Sequence, residues 1–162
     1  MVSIMKKLLL IIVSTVAFIS CQDEVKFNSP SFQGMKDNVL WRAIDSKAFL
    51  VPGGSLRIEA YTRDETVTLK TTSTSEGTYL LGTGTSNTAT YVLTDVNGST
   101  TFSTGLNVGN GQIVITDYDT VNNTISGTFK FNAINTSNNP SAGPSLNFQY
   151  GVFYKVAVSS AP

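Results

Sequence analysis

The sequence predicts an all-β fold, a single-domain antiparallel β-sandwich or barrel of about 8–10 short strands. Three observations lead there. Apolar and polar residues alternate with a period of two in one segment after another, as half-buried strands require. Clusters of Gly, Asn, Ser and Pro separate those segments at the spacing of turns. No segment carries a helical apolar stripe.

The elements follow in order from Asn38. Val39, Trp41 and Ala43 share one parity against Leu40 and Arg42, and Lys47–Val51 is a second short strand. Pro52-Gly53-Gly54 is a turn, because Pro presets φ and Gly tolerates φ > 0. Ser55–Arg63 alternates with Leu56, Ile58 and Ala60 inward and Arg57, Glu59, Tyr61 and Arg63 outward. Asp64-Glu65 connects it to Thr66–Thr71, where Val67 and Leu69 face in. Thr78–Gly82 is short, and Thr88–Thr94 places Ala89, Tyr91 and Leu93 on one face. Asp95-Val96-Asn97-Gly98 is a hairpin signal, since Asn-Gly suits a type I′ turn. Thr100–Thr104 is weak, and Gln112–Thr116 carries Ile113 and Ile115.

The most regular stretch is Thr124–Ala133, with Ile125, Gly127, Phe129, Phe131 and Ala133 on the inner face. Gly127 there marks a bend or admits a neighbouring ring. After a polar loop with Pro140 and Pro144, Leu146–Val158 closes the chain, with Leu146, Phe148, Tyr150, Val152, Tyr154 and Val156 expected inward.

Ahead of this domain (38–162) the sequence predicts a signal peptide over 1–20 and a tether over 21–37. Lys6 and Lys7 precede an apolar run from Leu8 to Ile19. That run is shorter than the roughly 20 residues a spanning helix needs, and its charged start fits a secretory leader. Phe18-Ile19-Ser20-Cys21 resembles a bacterial lipobox, although Phe18 departs from the usual Leu. The resemblance implies cleavage before Cys21 and lipidation of that cysteine, hence attachment to the outer membrane through a lipid anchor. Two or more acyl chains make such an anchor durable, where one alone is marginal. Gln22-Asp23-Glu24 resembles the surface-export signals of Bacteroidota lipoproteins, which implies either surface display or the periplasmic leaflet.

Composition bounds the function. Removing Lys6 and Lys7 from 11 basic residues leaves 9 against 11 acidic, with no basic stripe, so nucleic acid is not an expected partner. Cys21 is the only cysteine, so no internal disulfide forms and stability must come from the core. Histidine is absent, which removes the commonest general base and transition-metal ligand. The sequence predicts no cofactor, no metal site and no enzyme activity. It predicts a non-catalytic binding module at the cell envelope, for a glycan, a protein or a small apolar ligand, with a structural or accessory envelope subunit as the alternative.

Trp41-Arg42-Ala43, Gly77-Thr78-Tyr79, the run Ile125–Ala133 and Gly151-Val152-Phe153, together with the lipobox, resemble a family of small, uncharacterised β-rich lipoproteins of Bacteroidota. The resemblance covers nearly all of the chain after the leader. It implies fold and address, and no activity.

Candidate sites are few. Asp117 and Asp119 lie on one side of a strand, about 7 Å apart, a separation that suits paired carboxylates or a calcium or ligand rim. The same placement fits a solvated strand end. Asp95, Asn97 and Gly98 begin like an EF-hand loop, but Leu106 stands where the bidentate acid belongs. Asp119-Thr120-Val121 resembles the O-glycosylation acceptor of Bacteroidota envelope proteins, which makes Thr120 a candidate. Tyr61 among Arg57, Glu59 and Arg63 either stacks on a sugar ring or lies along the sheet among ion pairs. Trp41 is expected in the core, and Phe129, Phe131, Phe148 and Tyr150 are expected as core packing and secondarily as the wall of an apolar cavity.

Overall fold

The computed structural model describes residues 29–161, apart from 97 and 138. Eleven strands run β1 (Ser31–Lys36), β2 (Val39–Arg42), β3 (Asp45–Val51), β4 (Ser55–Tyr61), β5 (Glu65–Thr71), β6 (Gly77–Leu81), β7 (Thr88–Asp95), β8 (Gly98–Ser103), β9 (Asn110–Asp119), β10 (Thr124–Asn135) and β11 (Ser145–Ser160). The only helical element among the described residues is one 3₁₀ turn, Pro140–Ala142. The all-β class stands, with eleven strands where about 8–10 were expected.

All eleven strands belong to one hydrogen-bonded sheet, ordered β2-β1-β11-β3-β4-β5-β7-β8-β10-β9-β6, and a β10–β11 pairing closes it. The long hairpin β10–β11 is therefore shared. On one side β2, β1, β11, β10, β9 and β6 form an antiparallel six-stranded half. On the other, β3, β4, β5, β7 and β8 form a five-stranded half. The halves join at two corners, where the end of β11 pairs with β3 in parallel and the end of β10 pairs with β8. Whether sandwich or barrel was open from sequence. The ring of hydrogen bonds is closed, with β2-β1 and β9-β6 extending beyond it.

The core lies between the halves. Ala48, Leu56, Ile58, Ala60, Val67, Leu69, Ala89, Tyr91 and Phe102 face it from the five-stranded half. Phe32, Trp41, Ile113, Ile115, Phe129, Phe131, Phe148 and Phe153 face it from the other. The rings make a connected cluster: Phe32–Phe129 at 4.8 Å, Phe131–Phe148 at 5.1 Å and Trp41–Phe148 edge-on at 5.7 Å. Tyr91–Phe148, at 6.3 Å, links the two halves. Such ring pairs contribute beyond the area they bury.

Two β-bulges organise β11. Between Phe148 and Gly151, and again between Phe153 and Val156, β11 spends one residue more than its partner β10. Tyr150 (φ 51°) and Lys155 (φ 48°) take left-handed backbone there. Each extra residue inverts the side-chain parity. Leu146 and Phe148 point in as expected, but Tyr150, Val152 and Tyr154 point out, and Phe153 takes their place in the core. The expectation that Tyr150 is core packing is thereby corrected.

Gly127 and Gly151 receive the rings that this geometry turns inward. Gly127 is the cross-strand partner of Phe153, and Gly151 of Phe129. A Cβ on Gly127 would meet the Phe153 ring and the Val114 carbonyl, and one on Gly151 would lie 2.6 Å from three atoms of the Phe129 ring. The sequence reading of Gly127 as a seat for a ring holds.

The stretch 21–37 read as a tether contains β1. Phe32 is buried, and Asp37 and Asn38, both at positive φ, turn the chain into β2. The predicted leader and Cys21 lie outside the described residues.

The Phe–Gly interlock generates a stability prediction. Gly151→Ala should cost about 1–3 kcal/mol in urea unfolding, the range for overpacking a filled core. Phe129→Leu removes the obstructing ring atoms, so the double variant should lose less than the sum of the single losses. Simple additivity in the double-mutant cycle would refute the interlock.

Candidate functional site

The first bulge of β11 sets an aromatic ring on the outer surface. Tyr150 is 84% exposed on the outer face of the six-stranded half. Beside it lies a cleft of about 480 Å³ lined by Gln112, Thr128, Lys130, Gln149 and Val152. Cross-strand register assembles this lining, since Thr128 is the partner of Val152 and Lys130 of Gln112. Gly151, beside Tyr150, contributes backbone to the cleft. The lining offers amides, a hydroxyl, one ammonium and one exposed aromatic face, and no carboxylate. A second cleft, about 510 Å³, opens where β2 leads into β3, lined by Arg42, Ile44 and Lys47 among others.

A separate polar cluster bridges the two halves. Glu65 opens β5, its backbone N–H donating to Thr62 Oγ1 at 3.1 Å. Its Oε1 accepts from Tyr91 Oη at 2.5 Å and from Lys36 Nζ. Its Oε2 accepts from Trp41 Nε1 at 2.5 Å and from Thr62 Oγ1 at 3.2 Å. Lys36 also donates to Tyr91 Oη at 3.0 Å and sits 4.9 Å from that ring's centroid. Lys36 and Trp41 come from the six-stranded half, Glu65 and Tyr91 from the other.

Burial works against the Glu65 charge. The bonds from Lys36, Tyr91 and Trp41, with the Lys36 charge, outweigh it and hold the carboxyl below its ordinary range. Burial, then the neighbouring Glu65 carboxylate, pushes the Tyr91 hydroxyl up. Four donors occupy the lone-pair positions of this carboxylate, so it serves as a clamp with no acceptor position left for a ligand.

With this geometry in view, comparison with known proteins gives one match. A family model described as a domain of unknown function, DUF6252, covers residues 28–157. The chain belongs to that family. No curated protein and no solved structure matches it. The DUF6252 match spans both halves of the fold, the cross-sheet cluster and the Tyr150 cleft.

The residues singled out from sequence are dispersed in the DUF6252 domain. Asp119 is committed to the β9–β10 turn, where it accepts from the Val121 and Asn122 backbone N–H groups, each at 2.9 Å, and from Asn122 Nδ2 at 2.6 Å. Those bonds hold its carboxyl below the ordinary range. Asp117 is exposed on the same strand beside a bulge opposite Ser126 and Gly127. No group of three His, Cys, Asp or Glu side chains able to hold a metal exists among the described residues. Thr120 is exposed in the turn.

Asp95 pairs with Gly98 across the β7–β8 hairpin, so the connection occupies 96–97, with Asn97 outside the described residues. Arg57, Glu59 and Tyr61 form a chain along β4: Arg57 Nε is an ion-pair neighbour of Glu59 Oε1 at 3.0 Å, and the Tyr61 hydroxyl donates to Glu59. Burial and that bond push the Tyr61 hydroxyl up to about 12. Arg57 also lies 5.1 Å from the Phe49 ring centroid. Arg63 stands apart, exposed beside Asp64. Trp41 is in the core, as expected, but its indole N–H belongs to the Glu65 cluster.

The cluster predicts a pH-dependent clamp. The folded pKa of Glu65 is depressed, so its stabilisation is present above the unfolded value of about 4.3 and is lost as pH falls through the folded value. Glu65→Gln should cost about 1.5–3 kcal/mol at pH 7, the range for hydrogen bonds to a charged group. The gap between wild type and variant in urea midpoint should narrow on acidification below about pH 4. A gap that stays constant with pH would refute the assignment.

Proposed function

We propose that this DUF6252 protein is a lipid-anchored component of the bacterial cell envelope, and that its β domain is a non-catalytic binding module whose binding surface is the outer face of the six-stranded half. The anchor rests on the pattern of Lys6, Lys7, the apolar run and Cys21. The binding reading rests on one observation: Tyr150, exposed beside a cleft of about 480 Å³, a volume in the range of small-ligand sites. In the same reading Thr120, exposed at the β9–β10 turn, is an acceptor for an O-linked glycan.

Cys21→Ser should carry no acyl chain and disappear from the outer-membrane fraction, and acylated variant retained there would overturn the anchor. Proteoliposomes bearing the purified lipidated protein should retain solubilised native envelope material saturably, and Tyr150→Ala should lose most of that retention. Equal retention by both proteins, or by neither, would instead support the accessory structural subunit. Peptide mass spectrometry of the native protein should find a glycan mass on Thr120, and a wholly unmodified Thr120 would remove that assignment.

A further inference from the structure

Resting on the binding reading above, we infer that the Tyr150 cleft takes a pyranose ring of a glycan, with the Tyr150 ring as stacking platform. The ring is held away from the core by backbone geometry and is not merely left over at a strand end. Tyr150 sits at φ 51° in the middle of a 16-residue strand, and both neighbours of β11 count one residue fewer opposite it. A bulky residue in left-handed backbone is uncommon and persists where surrounding structure enforces it.

The surroundings then select the ligand class. A pyranose presents a C–H face that packs on an aromatic ring and an edge of hydroxyls that both donate and accept. Tyr150 supplies the first surface. Gln112, Gln149 and Thr128 supply paired donors and acceptors, and Lys130 adds a donor. Apolar atoms make up most of the exposed lining, with Val152, Phe129 and the Tyr150 ring among the contributors, and they give the C–H face of a sugar a surface to cover. With no carboxylate in the lining, a cationic ligand has no counter-charge. The cleft is shallow and set on a sheet face, the form that meets one or two rings of a longer chain.

The test is calorimetric titration of the full lipidated chain in phospholipid nanodiscs with cellohexaose, maltohexaose, mannohexaose and chitohexaose. At least one should bind saturably. Tyr150→Ala should weaken binding by about tenfold or more, the equivalent of about 1.4 kcal/mol, while Tyr150→Phe keeps the ring and most of the affinity. Thr128→Arg should block the cleft with Tyr150 in place, which separates loss of binding from loss of fold. If none of the four binds while envelope retention still depends on Tyr150, the glycan inference fails and the binding reading stands. If neither binding nor Tyr150-dependent retention is seen, both fail. If an oligosaccharide binds equally to Tyr150→Ala and Thr128→Arg, the site assignment is wrong.

Discussion

The fold depends on the fit between β10 and β11, and that fit depends on two glycines. Among the described residues these strands are the longest and the only ones common to both halves. A flat antiparallel pair of 12 and 16 residues would serve one sheet only. The bulges bend β11 so that its first part pairs with β1 and its end reaches β3. That bend drives Phe129 and Phe153 toward the backbone of the opposite strand. The absence of side chains at Gly151 and Gly127 gives each ring a place to lie. Bulge, ring and glycine are one device, and removing any of the three leaves the other two misfitted.

The cross-sheet cluster solves a different problem. β1 and β2 extend beyond the closed ring of strands, and β2, of four residues, is the edge on that side among the described residues. Shortness limits its use as a template for another chain, but it also limits its own hold on the body. Phe32 and Trp41 bury apolar area there, and Glu65 adds a directional tie. A lone carboxylate at 17% side-chain exposure would destabilise the fold. With Lys36, Tyr91, Trp41 and Thr62 around it, the same group holds β1 and β2 against the five-stranded half. The opposite edge, β6, has no comparable cluster among the described residues. It is held along its whole length by β9, from Gly77 opposite Ile115 to Leu81 opposite Gly111.

Strict alternation made much of this legible. Ser55–Tyr61, Thr88–Leu93 and Thr124–Ala133 show in sequence the faces they bury in the structure, because their period of two holds except at Ser126, an outer-face residue that is also buried. β11 shows the limit of that signal. A period-two reading carries one parity through the strand, and each extra residue inverts it, so Tyr150, Val152 and Tyr154 were assigned to the wrong side. The run Val152-Phe153-Tyr154 did contain the warning, since large residues stand on both parities there. β1 was missed because Ser31–Lys36 places a single large apolar residue, Phe32, on its inner face, with Gly34 next. The Glu65 clamp was hidden for another reason. An acidic residue after Asp64 reads as turn chemistry, and three of its four donors, Lys36, Trp41 and Tyr91, come from strands distant in the chain.

The candidate site follows from the packing that the same bulge serves. Left-handed backbone at a tyrosine costs about 1–2 kcal/mol, and the chain does not need Tyr there to make the turn. Asn or Gly would adopt that φ with less strain. What the bulge needs is an extra residue, and what the outer face gains from its being Tyr is a planar ring standing clear of the sheet. Because β1 and β10 flank the bulge from both sides, the ring's base has little freedom to move. Binding at such a position loses little entropy in ordering the protein. The stiffness that seats Phe129 on Gly151 inside the molecule is therefore the stiffness that holds Tyr150 ready outside it, and the two faces of one residue pair, Gly151 and its neighbour, couple core packing to surface recognition.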